Sequence, residues 1–494
     1  MRFFSPMKLL SPLFGLLVCL AAACGDNAPP PVEQPPDAGV DAEPCVPPMA
    51  QTPASADILD RMRALPGVTV EESSDPPAGY RSFVVLLDQP VDHAKPCGQT
   101  FVEHLTLIYK ADGAPTVLMT TGYMNYYGDT PDELTRLLGA NQIILEHRFF
   151  EPSRPSPADW SLLTIEQAAG DHHRVVELFR PLLTGRWVTT GASKGGMTSV
   201  YHRRFYPDDV DGTVAYVAPI SFGAPDNHYD TQINAVGSAE CRQALRDLQV
   251  ELLKNRRAML MAKATAESEA TGGPTYTRIP LAAAVESAVQ ALEWSFWQYY
   301  GERFCAMVPA VTATDDQAWR FLRNVSSVSS SSDQDVGDFE PYVYQAGFQL
   351  GYPSTIDEHL DGLLQSPPTA FDGLYPQGVP PPTFDPDAMH DIDTWVRTSS
   401  SHILYLYGEW DPWSGGMFEL GNASDSARVV AAHGTHGSGF LDLTPADQTK
   451  FSDMVQAWTG VRPDPGALSL RVAPPREPRP PAALLEAWKL RLRR

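Results

Sequence analysis

The stretch Arg186 to Phe205, RWVTTGASKGGMTSVYHRRF, decides the reading of this 494-residue chain. Trp187 to Thr190 is short, apolar and β-branched, which fits a buried strand. Lys194 to Phe205 reads as a helix. Between them, Gly191-Ala192-Ser193-Lys194-Gly195 matches G-x-S-x-G. At a sharp strand-to-helix turn the glycines allow close backbone approach, and the serine hydroxyl is held out from the sheet. The N-terminus of the following helix favours negative charge developing beside it. The pentapeptide alone is a weak signal, because Gly and Ser are common. With a strand before it and a helix after it, Ser193 becomes the candidate nucleophile.

Working outward, short strand and helix patterns alternate. Ser82 to Leu87, Leu105 to Tyr109, Thr116 to Thr120, Gln142 to Leu145 and Thr213 to Ala218 read as strands. Helical patterns fall at Asp132 to Leu138 and within Ile165 to Leu183. Alternation of this kind implies a mostly parallel sheet covered by helices. From Val236 the pattern turns helical: Ser238 to Ala266, Leu281 to Tyr300, Asp316 to Asn324 and Glu340 to Phe348. Ser326 to Asp338 is Ser/Asp-rich and is expected to be a flexible loop. Strands resume at His402 to Tyr407 and Arg428 to Ala432, and a helix over Gln448 to Trp458 follows. The expected fold class is α/β, an α/β-hydrolase core with a mostly parallel sheet and a helical cap inserted after the sixth-strand region. The core would occupy 51–235 and 401–462, and the cap 236–400.

A serine nucleophile needs a base, and the base needs an orienting carboxylate, in the chain order Ser, Asp or Glu, His. The strand HILYLY runs into Gly408-Glu409-Trp410-Asp411-Pro412-Trp413, which places Asp411 in the loop past a strand end. Glu409 competes but stands nearer the strand. RVVAA leads into His433-Gly434-Thr435-His436-Gly437, where either histidine could act. His436 is preferred because it lies further out, between residues that ease its positioning. The oxyanion hole is expected from the backbone N–H of Lys194 and from that of Tyr123, in the loop after TVLMT.

The chain ends and bulk composition narrow the class. Arg2 and Lys8 precede the apolar run Leu9 to Leu20, followed by Ala21-Ala22-Ala23-Cys24. This reads as a signal peptide over 1–23, with Cys24 a candidate lipid anchor. The Pro/Asp-rich 24–50 suits a tether, and 463–494 is a Pro/Arg-rich tail. A formal charge of −23 argues against a nucleic-acid partner. No Cys/His cluster has metal-ligand spacing, so neither a metal nor another cofactor is expected. In an oxidising compartment, Cys45–Cys97 and Cys241–Cys305 are the expected disulfides. The protein would be exported, secreted or held at the cell surface.

Several motifs look familiar. Gln142 to Arg174 (QIILEHRFFEPSRPSPADWSLLTIEQAAGDHHR) resembles the S37 family of secreted bacterial peptidases. Gln89 to His93, Thr121 to Tyr123, Gly191 to Met197, Gly408 to Pro412 and Thr435 to Gly437 do so too. EHRFF and GASKGGM also resemble the related S28 group of prolyl carboxypeptidases. The resemblance implies release of N-terminal tri- or tetrapeptides, often after proline, with Ser193, Asp411 and His436 as the triad. It also implies that His433 stands where the family's loop has Gly, and so is not the base. Such an activity needs an apolar pocket for proline, which Trp294 and Trp297, on one helical face, could roof. It also needs a carboxylate for the substrate amine. Glu146 could serve, or it could pair with Arg148 or another buried cation. By fold alone a lipase or esterase with the same triad, or an inactive surface binding protein, would fit as well.

Overall fold

TVLMT, NQIIL, GTVAY and ILYLYG are buried at every position. A parallel strand covered by helices on both faces has no solvent side, so its sequence loses the apolar/polar alternation. The computed structural model describes residues 53–469. In it these segments form part of one nine-stranded sheet. The strands are β1 (Val68–Glu72), β2 (Arg81–Pro90), β3 (Thr100–Tyr109), β4 (Thr116–Thr120), β5 (Asn141–Leu145), β6 (Trp187–Ala192), β7 (Gly212–Tyr216), β8 (Ile403–Gly408) and β9 (Ala427–Ala431). Their order is β1-β2-β3-β5-β4-β6-β7-β8-β9. The first four neighbours in that order pair antiparallel; from β5 to β9 every pairing is parallel. This is the α/β-hydrolase sheet with one added edge strand, β1.

Helices cover both faces. Glu133–Leu138 and Pro445–Thr459 pack Leu134, Leu137, Phe451 and Val455 against Val188, Val214 and Leu404. On the opposite face, Ile165–Phe179 sets Val175 and Phe179 over β2, β3 and β5. Lys194–Phe205 and Pro386–Ser399 set Val200, Tyr201, Met389 and Ile392 over Ala215, Ile403 and Tyr405. The parallel strands therefore point their carboxyl ends to one edge, where an open α/β sheet builds its site.

Between β7 and β8 the chain folds into a helical cap with its own core. Leu245, Leu248, Leu252, Phe296, Trp297 and Leu322 are among its buried residues. The Cys241–Cys305 disulfide forms within this cap, joining Cα atoms 5.6 Å apart across 64 residues of chain. Cys45, its counterpart in the expected Cys45–Cys97 bridge, lies outside the described residues. So do the leader, Cys24, the tether before residue 53 and the tail past 469.

The structure corrects the expected elements in three places. The Ser/Asp-rich 326–338 is not a loop: it makes a 3₁₀ turn, Val328–Ser331, and the start of the helix Asp333–Gln345. Ser332 caps that helix, and the Asp333 carboxylate accepts from the backbone of Thr277 and Arg278. Ser and Asp mark helix starts here, not disorder. The helix Pro386–Ser399 belongs to the layer covering the sheet, although it falls inside the 236–400 interval expected to be cap. Strand β1 was not foreseen, because VTVEE is short and half-exposed at the sheet edge.

One buried ion pair fastens the first half of the molecule. Arg148 is fully buried and grips Asp171 with Nε (2.6 Å) and Nη2 (2.8 Å). It also donates to the carbonyls of Pro90, Val91 and Leu162. His93 Nε2 meets the same Asp171 carboxylate at 2.7 Å. The EHRFF motif is thus tied to the Gln89–His93 segment and to the helix Ile165–Phe179.

Burial alone would raise the Asp171 carboxyl, but Arg148 and His93 hold it down at about 2. A depressed carboxylate adds stability that is complete above its unfolded pKa of about 4 and is lost as pH falls toward the folded value. Wild type should therefore lose more urea resistance than Asp171→Asn between pH 5 and pH 3. Urea midpoints at the two pH values check this; equal losses would contradict it. At pH 7 Asp171→Asn should itself cost about 3–5 kcal/mol, since Arg148 is left buried without a charge partner.

Candidate active site

The strand β6 ends at Ala192, and the helix Lys194–Phe205 begins one residue after Ser193. Ser193 sits at φ 57°, ψ −127°, in the left-handed half of backbone space that a side chain rarely adopts. Such strain persists only where the surroundings enforce it. Gly195 packs so tightly that an added Cβ would lie 2.4 Å from the Thr120 carbonyl oxygen. Gly122, at φ +71°, would put a Cβ 2.7 Å from the carbonyl carbon of Lys194. The loop after β4 and the helix start are thus in backbone-to-backbone contact, and only glycine fits on either side. The Lys194 N–H is at the first helical position, where no intrahelical acceptor exists.

The candidate base and its candidate orienting carboxylate come from the loops after β9 and β8. His436 Nδ1 lies 2.6 Å from Asp411 Oδ2. Asp411 is fully buried, and its Oδ1 accepts from the Trp413 backbone N–H at 3.1 Å. His436 Nε2 is buried and makes no hydrogen bond. The cap helix Leu292–Tyr299 helps fix this loop, since the His436 N–H donates to the Gln298 carbonyl at 2.9 Å. The Trp413 ring lies 6.3 Å from that of His436 and also lines the pocket next to Ser193. Tyr123 lines the same pocket as the Ser193 side chain.

The other histidine and carboxylate of these loops are elsewhere. His433 is exposed, stacks on Trp410 at 4.1 Å, and donates its backbone N–H to Glu409 Oε2 at 2.8 Å. These contacts form a turn, away from Asp411.

The pocket against Ser193 is walled by Met197, Pro219, Leu350 and Trp413, with Tyr123 and Tyr342 completing it. Leu350 and Tyr342 come from the cap side of the chain, so the pocket closes only when cap and sheet meet. The two tryptophans expected there are not in it. Trp297 is 0% exposed in the cap core, where a Cβ on Gly237 would strike it. Trp294 stands one layer back, its ring edge-on to Trp413 at 5.3 Å. Trp297 is enclosed in the cap core while Trp294 faces the Trp413 loop, which the spacing alone did not reveal. Trp413, two residues past Asp411, carries the signal that was missed.

Glu146 does not pair with Arg148, whose partner is Asp171. Its carboxylate accepts from the Asn125 N–H (3.0 Å), the Ser153 N–H (3.2 Å) and the Ser153 hydroxyl (2.7 Å). Burial pushes its pKa up to about 8, against the pull of those donors. Its role is to hold the loop carrying Tyr123. The Lys194 amine, also buried, donates to the Gly122 carbonyl and fixes the same loop from the other side. Burial pulls that amine well below an ordinary lysine. Among the described residues no group of His, Cys, Asp and Glu could hold a metal ion, and no helix is long and apolar enough to cross a membrane.

The family profile of PS-10 peptidase S37 matches residues 51–477. The prolyl tri/tetrapeptidyl aminopeptidase of Streptomyces mobaraensis is 41% identical over 432 residues, covering 86% of this chain and 90% of that one. The lysosomal Pro-X carboxypeptidase of Bos taurus is 26% identical over 200 residues, covering 35% of this chain and 37% of that one. Among solved structures, the proline iminopeptidase of Mycobacterium smegmatis aligns over 79% of this chain and 99% of its own at 12% identity, with a TM-score of 0.33.

Replacing Asp411 by Asn would set an amide N–H or a weaker acceptor against His436 Nδ1 and favour the wrong tautomer. The rate of Ser193 labelling by a fluorophosphonate probe should fall on the order of 10³- to 10⁴-fold in Asp411→Asn with the fold intact. His433→Asn should label at the wild-type rate. Equal labelling of the wild type and Asp411→Asn would remove the pair from the site.

Proposed function

Since the chain belongs to peptidase family S37, a family of serine peptidases, we propose that it is an exported aminopeptidase that releases short N-terminal peptides, tri- or tetrapeptides, after proline. Ser193 attacks the scissile carbonyl while His436 Nε2 takes its proton, and Asp411 holds the imidazole and balances its charge. The N–H of Lys194 stabilises the oxyanion. The tetrahedral intermediate expels the amine of the downstream peptide, which receives the proton from His436. Water, activated by the same imidazole, then releases the acyl group. Peptides are the substrate class.

The observation that carries the proline preference is the pocket next to the nucleophile. Its lining is mostly apolar, with Met197, Pro219, Leu350 and Trp413 drawn from both sheet loops and cap, which favours an apolar group over a charged side chain.

Export rests on the leader over 1–23 and on Cys24, which lie outside the described residues. With Cys24 lipidated, the protein would fractionate with membranes, and Cys24→Ala would release it into the soluble exported fraction. Unchanged fractionation of the variant would rule the anchor out.

The cleavage reading is tested with chromogenic arylamides. Ala-Ala-Pro-arylamide should be turned over by the wild type and not by Ser193→Ala, and acetylating the substrate's N-terminus should abolish turnover. Ala-Ala-Leu-arylamide should react at least tenfold more slowly. Cleavage of the acetylated peptide at an undiminished rate would replace the exopeptidase by an endopeptidase.

A further inference from the structure

We propose that the second oxyanion donor is the phenolic hydroxyl of Tyr123, not its backbone amide, so that Tyr123 is a catalytic residue through its side chain. The inference rests on the serine-peptidase reading above and concerns one donor within it.

The peptide groups around Tyr123 are used inside their own loop. The Tyr123 N–H points back to Thr121 Oγ1 at 3.3 Å. The Tyr123 carbonyl accepts from the Thr121 hydroxyl at 2.6 Å and from the His147 N–H at 2.9 Å. The side chain goes the other way. It lines the pocket beside Ser193 and Lys194. When the serine oxygen bonds to the substrate carbon, the former carbonyl oxygen becomes its neighbour on the same tetrahedral centre. A phenol in the wall of that pocket, beside the nucleophile, is placed to donate to that oxyanion.

An oxyanion donor is effective when it is held in place before reaction. The Tyr123 ring is packed against aromatic neighbours. Tyr342 lies 5.6 Å away and Phe150 meets it edge-on at 6.0 Å. The Lys194 amine sits 5.6 Å from the ring centre. The loop beneath is pinned by Glu146 through Asn125 and by Lys194 through Gly122. Burial also keeps the phenol protonated, and so a donor, across the neutral range.

The step balances without any further reagent. The Ser193 O–H bond breaks and its proton passes to His436 Nε2; the serine oxygen bonds to carbon, and the carbonyl π pair moves onto oxygen. The Lys194 N–H and the Tyr123 O–H donate to that oxyanion. On collapse the carbon–nitrogen bond breaks, and His436 returns the proton to the leaving amine.

Tyr123→Phe keeps the ring and removes only the hydroxyl. On Ala-Ala-Pro substrates kcat should fall by about 10²- to 10³-fold, with KM within about twofold. Affinity for an Ala-Ala-Pro aldehyde, whose bound form is a tetrahedral oxyanion, should fall by a similar factor. An ester and a thionoester of the same peptide separate oxyanion binding from simple positioning of Ser193. Sulfur accepts hydrogen bonds poorly, so the thionoester should lose far less than the ester. Tyr123→Phe with kcat within threefold of wild type, or with equal losses on ester and thionoester, would overturn the proposal and leave the peptidase reading standing. A wild type inactive on all three substrates would instead sink that reading. Matching thermal midpoints of the two proteins establish that folding is not the cause.

Discussion

The site depends on a contact between two pieces of backbone. The helix that begins at Lys194 is pressed into the end of β4 so closely that Gly195 and Gly122 have no room for a side-chain carbon. The Thr120 hydroxyl donates to the Gly195 carbonyl at 2.7 Å, which ties the first helical turn to the strand. This contact holds Ser193 in its strained conformation and brings the helix N-terminus up to its side chain. A strained residue in a marginally stable protein must be over-determined by its neighbours, and here both neighbours are main chain.

Around that point the molecule divides its polar residues between framing and chemistry. EHRFF, the most distinctive motif in the chain, is framing. Arg148 gathers Asp171 and three carbonyls, and Glu146 gathers three donors and steadies the Tyr123 loop. Both are buried charges or potential charges whose partners come from distant segments, so losing any one partner leaves another exposed to low dielectric. The cap contributes in the same way. Its Gln298 carbonyl holds the backbone of His436, and Tyr342 and Leu350 close the pocket. The cap is therefore part of the site, not merely a cover.

The parallel sheet and the order of Ser193, Asp411 and His436 were legible because buried strands and tight turns leave local marks. TVLMT and HILYLY are uninterrupted apolar runs, and each candidate stands just past a strand end. Other features left no such mark. Trp294 and Trp297 lie on one helical face, yet Trp297 is enclosed in the cap core and Trp294 meets Trp413, and amphipathic spacing does not name the partner each packs on. The serines of 326–338 resemble a linker by composition, while their positions as helix caps depend on which backbone they meet. The helix Pro386–Ser399 reads no differently from the cap helices before it. Only its packing on β8 assigns it to the sheet layer.

Local sequence thus determined the strand–turn–helix at Ser193, the α/β alternation and the loops that carry Asp411 and His436. These follow from periodicity and from glycine's conformational range, which act between near neighbours. Tertiary structure decided which histidine meets Asp411 and that Arg148 rather than Glu146 carries the buried ion pair. It also decided which aromatic residues wall the pocket. Those outcomes depend on distances between residues far apart in the chain, and chain spacing does not encode such distances until the sheet and cap have packed.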